Sequence, residues 1–309
     1  MKAITCREYG PPEVLTMVDV ARPAPGPHEL LVEIHASTVN SSDWYVRSGV
    51  RTSPLFTQVM FRMMVGFTRP RKPILGLILV GRVVEVGSQV TRFRPGQRVW
   101  AFTKFHFGAY AEYTCIADDS SVGLAPEGWS DDDAAAIIYG GLLALHYLKR
   151  GGVAKDSRVL IYGASGAAGT SMVQLAAHEG AKVTAVCGPG SFDLVRSLGA
   201  REVLDYTKDT APPEGVAFDV VIDAVGKRKT SPLRTACERA LAPGGRVVSV
   251  DDGTPSFSAQ QLDTLKGLAE QGVLTPCIDR RFPLEQIVEA HRYVEGDHKH
   301  GNVVVTIGR

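Results

Sequence analysis

RVLIYGASGAAG, residues 158–169, joins an apolar run to a loop of small residues and then to a helix-like segment, GTSMVQLAAHEG (169–180). Residues 158–161 read as a buried strand, and the loop fits the dinucleotide fingerprint G-x-G-x-x-G with Ala164, Gly166 and Gly169 in the three glycine slots. A small residue at 164 permits the tight turn, Gly166 lets backbone approach a pyrophosphate, and Gly169 lets the helix lie close to its strand. The helix start then presents amides to the anion, so Ser165, Gly166, Ala167, Ala168 and Gly169 are the expected phosphate cradle. Alone, the glycine pattern equally describes an ordinary turn; the strand before it and the helix and second strand after it favour a dinucleotide.

Outward from the loop the chain alternates. DDDAAAIIYGGLLALHYLKRG (131–151) is helix-like, KVTAVC (182–187) strand, FDLVRSLG (192–199) helix and EVLDY (202–206) strand. FDVVIDAVG (218–226), helix-like PLRTACERAL (232–241) and the strand GRVVSVDD (245–252) complete a series that implies a doubly wound parallel sheet with right-handed crossovers. KVTAVC ends at Cys187, about where an NAD enzyme places a carboxylate on the adenosine ribose. Here the chain continues Gly188-Pro-Gly-Ser191, so a 2′-phosphate meets no like charge and NADPH is favoured over NADH. Ser191, the amides from Gly188 onward and Tyr206 are the nearest groups to hold that phosphate, and each also fits ordinary turn or core chemistry; no Arg or Lys occupies 187–191.

The first 120 residues read differently. HELLVEIHASTV (28–39), LILVGRVVEVG (77–87), RFRPGQRVWAF (92–102) and GAYAEYTCIA (108–117) are short, β-branched or aromatic, and punctuated by Gly and Pro, which predicts a mostly β domain. PLFTQVMFRMMVGF (54–67) interrupts it, with Leu55, Val59, Met63 and Phe56, Met60, Met64, Phe67 at helical spacing and Pro54 suited to a first turn. Packing of that face on the core is the first reading. A lid over an apolar pocket is the second, and membrane contact through Arg51, Arg62, Arg69 and Arg71 the third. After helix-like SAQQLDTLKGLAEQG (258–272), the last strand has nothing to cross over to and is expected to return to the first domain. The expected division is a catalytic domain at 1–122, a dinucleotide domain at 123–270 and a returning tail at 271–309.

Composition narrows the partners. With 34 basic and 33 acidic residues the formal charge of the 309-residue chain is +1, and no charge run nominates a nucleic acid. Cys6, Cys115, Cys187, Cys237 and Cys277 are scattered, without the spacing of a structural zinc lobe, and read as free thiols in a reducing compartment. The first residues lack the apolar core of a signal peptide, and no run approaches the ~20 apolar residues of a span. The expectation is a cytoplasmic protein without stable membrane insertion.

VNSSDW (39–44), GRVVEVGSQVTRFRPGQRVWAF (81–102), GAYAEY (108–113), GLLAL (141–145), GASGAAG, SLGAREVLDY (197–206), FDVVIDAVG, LAPGGRVV (241–248) and GNVVV (301–305) occur in that order. Together they resemble, over almost the whole chain, the medium-chain dehydrogenase/reductase superfamily in its zinc-independent quinone-oxidoreductase-like branch. The resemblance implies a GroES-like domain built from both chain ends, a Rossmann domain between them, and NADPH contacted by Asn40, Leu143, Ala224, Val225, Gly226, Val250, Asp251 and Asn302 besides the loop. The zinc enzymes of the superfamily carry Cys where Asn40 stands and Gly-His-Glu where this chain has Gly76-Leu77-Ile78, so no catalytic zinc is expected. His298 and His300, with His291 nearby, are read as solvated rather than as metal ligands.

Without metal, the chemistry implied is hydride transfer to a quinone or an activated, α,β-unsaturated carbonyl, whose conjugated oxygen spreads the charge. Asn40 is expected to reach the nicotinamide ribose or a substrate oxygen, beside Asp43, which could equally cap the following helix. Tyr45 and Tyr139 are candidate proton donors, against packing roles. Leu143 replaces the usual Thr, and little room remains for a sixth Rossmann strand, the edge through which relatives commonly form homodimers. Two alternatives stand: a non-catalytic NADPH-binding redox sensor, and a zinc-free alcohol dehydrogenase or aldehyde reductase.

Overall fold

The structure is a computed structural model and describes residues 1–49, 55–226, 231–253, 255–296 and 299–308. In chain order the elements are β1 (Lys2–Cys6), β2 (Leu15–Asp19), β3 (Glu29–Val39), α1 (Ser41–Ser48), α2 (Leu55–Val65), β4 (Ile78–Val86), β5 (Arg98–Phe102), β6 (Tyr113–Ala117) and β7 (Val122–Leu124). There follow α3 (Asp131–Gly151), β8 (Arg158–Tyr162), α4 (Ala167–His178), β9 (Lys182–Cys187), α5 (Phe192–Ser197), β10 (Glu202–Asp205), β11 (Phe218–Asp223), α6 (Pro232–Arg239) and β12 (Leu241–Ser249). The chain ends with α7 (Ala259–Glu270), β13 (Ile278–Pro283), α8 (Ile287–Glu295) and β14 (Asn302–Thr306).

The α/β half carries one parallel sheet in the order β10-β9-β8-β11-β12. Its central strands are near-continuous apolar runs, Val159-Leu-Ile161 and Val220-Val-Ile222, buried as strands of an all-parallel sheet are when helices cover both faces. The order reverses between β8 and β11, and in open α/β sheets ligands bind outside the carboxyl ends of the strands at such a reversal. Among the described residues the sheet ends at β12.

The other half is a mixed sheet in the order β13-β14-β3-β4-β5-β7, with β6 also paired to β3. β14 pairs antiparallel with β3, Val303 opposite Val39 through Thr306 opposite Ala36. One face feeds a core of Leu30, Val32, Ile34, Val83, Val99, Val303 and Val305. The chain separates into a unit of residues 1–138, 257–266 and 278–309 and a unit of 139–256 and 267–277. These boundaries differ from the expected breaks at 122/123 and 270/271. β7 spans the first expected break and pairs with β5, and α3 and α7 are each divided between the units.

The helix expected over 54–67 exists as α2, but its orientation reverses the first reading. Leu55, Val59, Met60, Met63, Met64 and Phe67 are exposed, and Phe61 and Val65 face the core instead. Helical spacing defines a stripe without saying which way it turns, and here apolar residues lie on both sides. Arg51 and Pro54 lie outside the described residues.

Candidate active site

The loop after β8 has two glycines under different constraints. A Cβ added at Gly169 would lie 2.1 Å from the Gly163 carbonyl oxygen, so α4 can approach its strand only with hydrogen there. A Cβ at Gly166 would meet nothing closer than the same oxygen at 3.5 Å, an ordinary contact, and its φ of −79° suits any residue. The protein's own packing therefore leaves a space in front of Gly166. Gly166 is also the N-cap of α4 and has no side chain to cap it, so the first amides, at Ala167, Ala168 and Gly169, have no acceptor within the helix. Ser165 is half-buried in the turn. An open cradle backed by uncapped amides fits a pyrophosphate.

The neighbouring strand ends close on the same loop. Gly163, at φ 82°, has its open side against Val225, where an added Cβ would lie 2.4 Å from Cγ2. The turn carrying Ala224, Val225 and Gly226 is held by Asp223: Oδ1 accepts from the amides of Val225 and Gly226, both at 3.1 Å. Oδ2 accepts from Arg234 at 2.8 Å and from the Ser249 hydroxyl at 2.7 Å. Arg234 also donates to the Gly226 carbonyl at 2.7 Å, so one buried pair fixes the turn. Asp251 lies within 2.9 Å of a Cβ built on Gly226, and the Val250 carbonyl accepts from the Tyr147 hydroxyl. Asp223 and Arg234 escaped the sequence reading, although a carboxylate ending an apolar strand was a visible signal.

At the end of β9, Cys187 and Ser191 are buried, while Tyr206 is half-exposed and lies against Gly188; a Cβ there would sit 3.4 Å from the Tyr206 hydroxyl. Burial pushes the Cys187 thiol up to about 11, Asp205 pushes the same way, and Arg196 opposes them. Arg196 is thus a cation near this edge that lies outside residues 187–191, supplied by α5, a turn further on.

In the first unit, Asn40 and Asp43 form the capping box of α1. Asn40 Oδ1 accepts from the amides of Ser42 at 2.9 Å and Asp43 at 3.4 Å, and Asp43 Oδ2 accepts from the Asn40 amide at 3.0 Å. Asn40 Nδ2 is buried without a hydrogen-bond partner. Burial pushes the Asp43 carboxyl up to about 7, against the opposing pull of the Asn40 amide and the Tyr110 hydroxyl. That hydroxyl donates to the Thr38 carbonyl at 3.2 Å. His291 meets the Tyr110 ring edge-on at 5.8 Å, with both ring nitrogens unpartnered, and burial aided by Arg47 pushes it down to about 3. Arg47 is buried, donates to the Gly10 carbonyl at 2.6 Å and pairs with Glu295.

The other expected site residues divide between the two units. Tyr45 is half-buried on α1, its ring 4.6 Å from Trp44; Tyr139 is half-buried and Leu143 buried on α3 in the second unit. Asn302 is buried at the start of β14 in the first unit. Neither Asn40, whose oxygen is engaged by α1, nor the buried Leu77 and Ile78 offer zinc donors, and no cluster of three or more His, Cys, Asp or Glu suited to a metal occurs among the described residues. A catalytic zinc does not fit these side chains. His298 lies outside the described residues.

Two family models match the chain: the alcohol dehydrogenase GroES-like domain over residues 26–127, and the zinc-binding dehydrogenase domain over 198–259 and 252–305. The chloroplastic quinone-oxidoreductase homolog of Spinacia oleracea is 31% identical across 99% of this chain and 98% of its own. The chain belongs to the medium-chain dehydrogenase/reductase family, in its quinone-oxidoreductase-like branch. In this family the 2-methylene-furan-3-one reductase of Solanum lycopersicum is 30% identical over 99% of this chain and 79% of its own. The solved quinone oxidoreductase of Coxiella burnetii matches with a TM-score of 0.85 at 26% identity, covering 100% of this chain and 99% of that one. The name of the second family model mentions zinc, for which the side chains of Asn40, Leu77 and Ile78 do not supply a donor set.

Proposed function

We propose that this protein is an NADPH-dependent oxidoreductase that acts without zinc on a quinone or an α,β-unsaturated carbonyl. The observation that carries this reading is Gly166, whose missing side chain the protein's own packing does not require and a closely approaching pyrophosphate does. When bound, NADPH supplies the hydride.

The chain's residues supply placement. Gly166 and the amides of Ala167, Ala168 and Gly169 hold the pyrophosphate, and the turn 224–226, locked by Asp223 and Arg234, walls the same crest. Cys187, Gly188, Ser191 and Tyr206 form the adenosine edge; β9 itself ends without a carboxylate, although Asp205 of β10 lies alongside Cys187, and Arg196 offers positive charge to a 2′-phosphate. In the first unit Asn40 offers its Nδ2 protons to a ribose or substrate oxygen, and Asp43 positions it through the capping box. Tyr45 and Tyr139 are the candidate proton donors, and Leu143 and Asn302 the candidate nicotinamide neighbours. Domain roles follow the expected division: catalytic at the two ends, dinucleotide-binding in the middle. None of the five cysteines is joined in a disulfide, which suits a reducing compartment, and the cytoplasm is the one proposed, to be checked by fractionation.

The test is oxidation of NADPH and of NADH with a quinone, an enone and an aldehyde, each with and without a chelator. Turnover of quinone or enone with NADPH preferred, unaffected by chelator, is expected. Faster aldehyde than enone turnover would establish the aldehyde reductase instead, and tight NADPH binding with no turnover of any acceptor would establish a binding protein.

A further inference from the structure

Between Trp44 and Val84 the sequence holds no Asp or Glu and seven Arg or Lys, so the remainder, with 27 basic against 33 acidic residues, carries a net negative charge. This acid-free stretch contains α2, whose amphipathicity is inverted relative to a helix docked on a core. Leu55 is 76% exposed, Met64 56% and Phe67 63%, with Val59, Met60 and Met63 beside them. Half of the large apolar side chains exposed among the described residues fall within residues 55–67. Toward the core the helix turns Phe61 and Val65, with Arg62 stacked over Tyr9 at 5.5 Å. Directly after the apolar ridge come Arg69, Arg71 and Lys72, all exposed. The turn that presents them is fixed: the Arg71 amide donates to the Val65 carbonyl at 2.8 Å, and the Tyr9 hydroxyl to the Gly66 carbonyl at 2.7 Å.

We infer that α2 and the turn after it seat the protein on an anionic lipid surface. Eleven helical residues span only about 16 Å, far short of a bilayer core, so the helix would lie in the plane of the interface. Large, flexible Met and Leu side chains with an aromatic at one end enter the headgroup boundary, and the adjoining cations meet the lipid phosphates. Outside the acid-free stretch acidic residues outnumber basic ones, so the exposed cations at Arg69, Arg71 and Lys72 are where the chain is drawn to such a surface. A protein partner would be expected to bring carboxylates to the three cations in a shaped cleft; the exposed residues here form a ridge of apolar tips with cations at its edge, which suits a deformable, uniformly anionic surface.

The experiment is flotation of the full chain with vesicles of phosphatidylcholine alone and of phosphatidylcholine mixed with phosphatidylglycerol, at low and high salt. Binding to the anionic vesicles, weakened by salt and weak on neutral ones, is expected. Arg69→Gln/Lys72→Gln should weaken partitioning about fivefold per cation removed. Met64→Glu/Phe67→Glu should abolish it, whereas Val216→Glu, at an exposed apolar residue elsewhere, should not. All of the substituted side chains are exposed, and circular dichroism of each variant verifies folding. Failure to bind anionic vesicles, equal binding to neutral ones, or full binding by the α2 variants overturns the inference. So does a halving of molecular mass in the Met64→Glu/Phe67→Glu variant, measured by light scattering, without vesicle binding by the parent, which would make a second copy the occupant.

Discussion

Gly166 and Gly169 sit three residues apart and make separable predictions. Gly169→Ala forces a backbone shift against Gly163 and should cost about 1–3 kcal/mol of stability, seen in a urea titration. Gly166→Ala fits the protein, so thermal stability should hold while NADPH affinity falls about tenfold or more by calorimetry, the equivalent of roughly 1.4 kcal/mol. Unchanged affinity in Gly166→Ala would remove the main support for the cofactor assignment. Asp43 and His291 give a pH signature. With its pKa raised to about 7, Asp43 binds its proton more tightly when folded, so its contribution to stability declines as pH rises from about 4 to 7. His291, lowered to about 3, does the opposite: its contribution is lost as pH falls from about 6.5 toward 3. The two slopes oppose each other in wild type. In Asp43→Asn that opposition is removed, and the melting temperature should drop more steeply on acidification between about pH 4 and 6.5 than in the parent. Parallel profiles would refute this account. The glycine slots were legible because their sterics are local; the Asp43, Tyr110 and His291 group was not, because it assembles from three distant segments. A trace existed, since Ile287, Ala290, His291 and Val294 share the buried face of α8 and put one imidazole among aliphatics.

Elements show where periodicity suffices and where it does not. The parallel strands were readable because both their faces are covered, which makes them continuous apolar runs between turn signals. α2 was readable as a helix but not in its orientation, since its apolar residues spread over more than one face. The turn after β11 was anticipated as a cofactor contact, yet its support by Arg234 from α6 depends on how that helix packs. Asp223→Ala would leave the buried Arg234 without its main counter-charge and should cost about 3 kcal/mol by denaturant unfolding, with a raised KM for NADPH. A near-neutral effect would mean that Glu238, 3.0 Å from Arg234, suffices alone. Arg196 adds a specificity prediction: Arg196→Glu should reduce the kcat/KM ratio of NADPH over NADH, with thermal stability changed little because the side chain is exposed.

For the whole molecule, the sequence foretold a tail that rejoins the beginning, because a final strand with no crossover left must pair elsewhere. β14 alongside β3 is that pairing. A chain ended after Cys277 should lose amide protection in β3 and β4 by hydrogen exchange while β8, β9 and β11 keep theirs; uniform protection or uniform loss would contradict this. The same arrangement sets an order of events at the ribosome. Synthesis runs from the amino end, so all five strands of the parallel sheet emerge while β3, already paired to β4 and, over 29–33, to β6, still shows unpaired backbone donors and acceptors over 36–39, where β14 will pair. The mixed sheet begun with β3 is therefore completed only after the parallel sheet, and until β14 emerges residues 36–39 keep an open sheet edge, where a chaperone has something to hold.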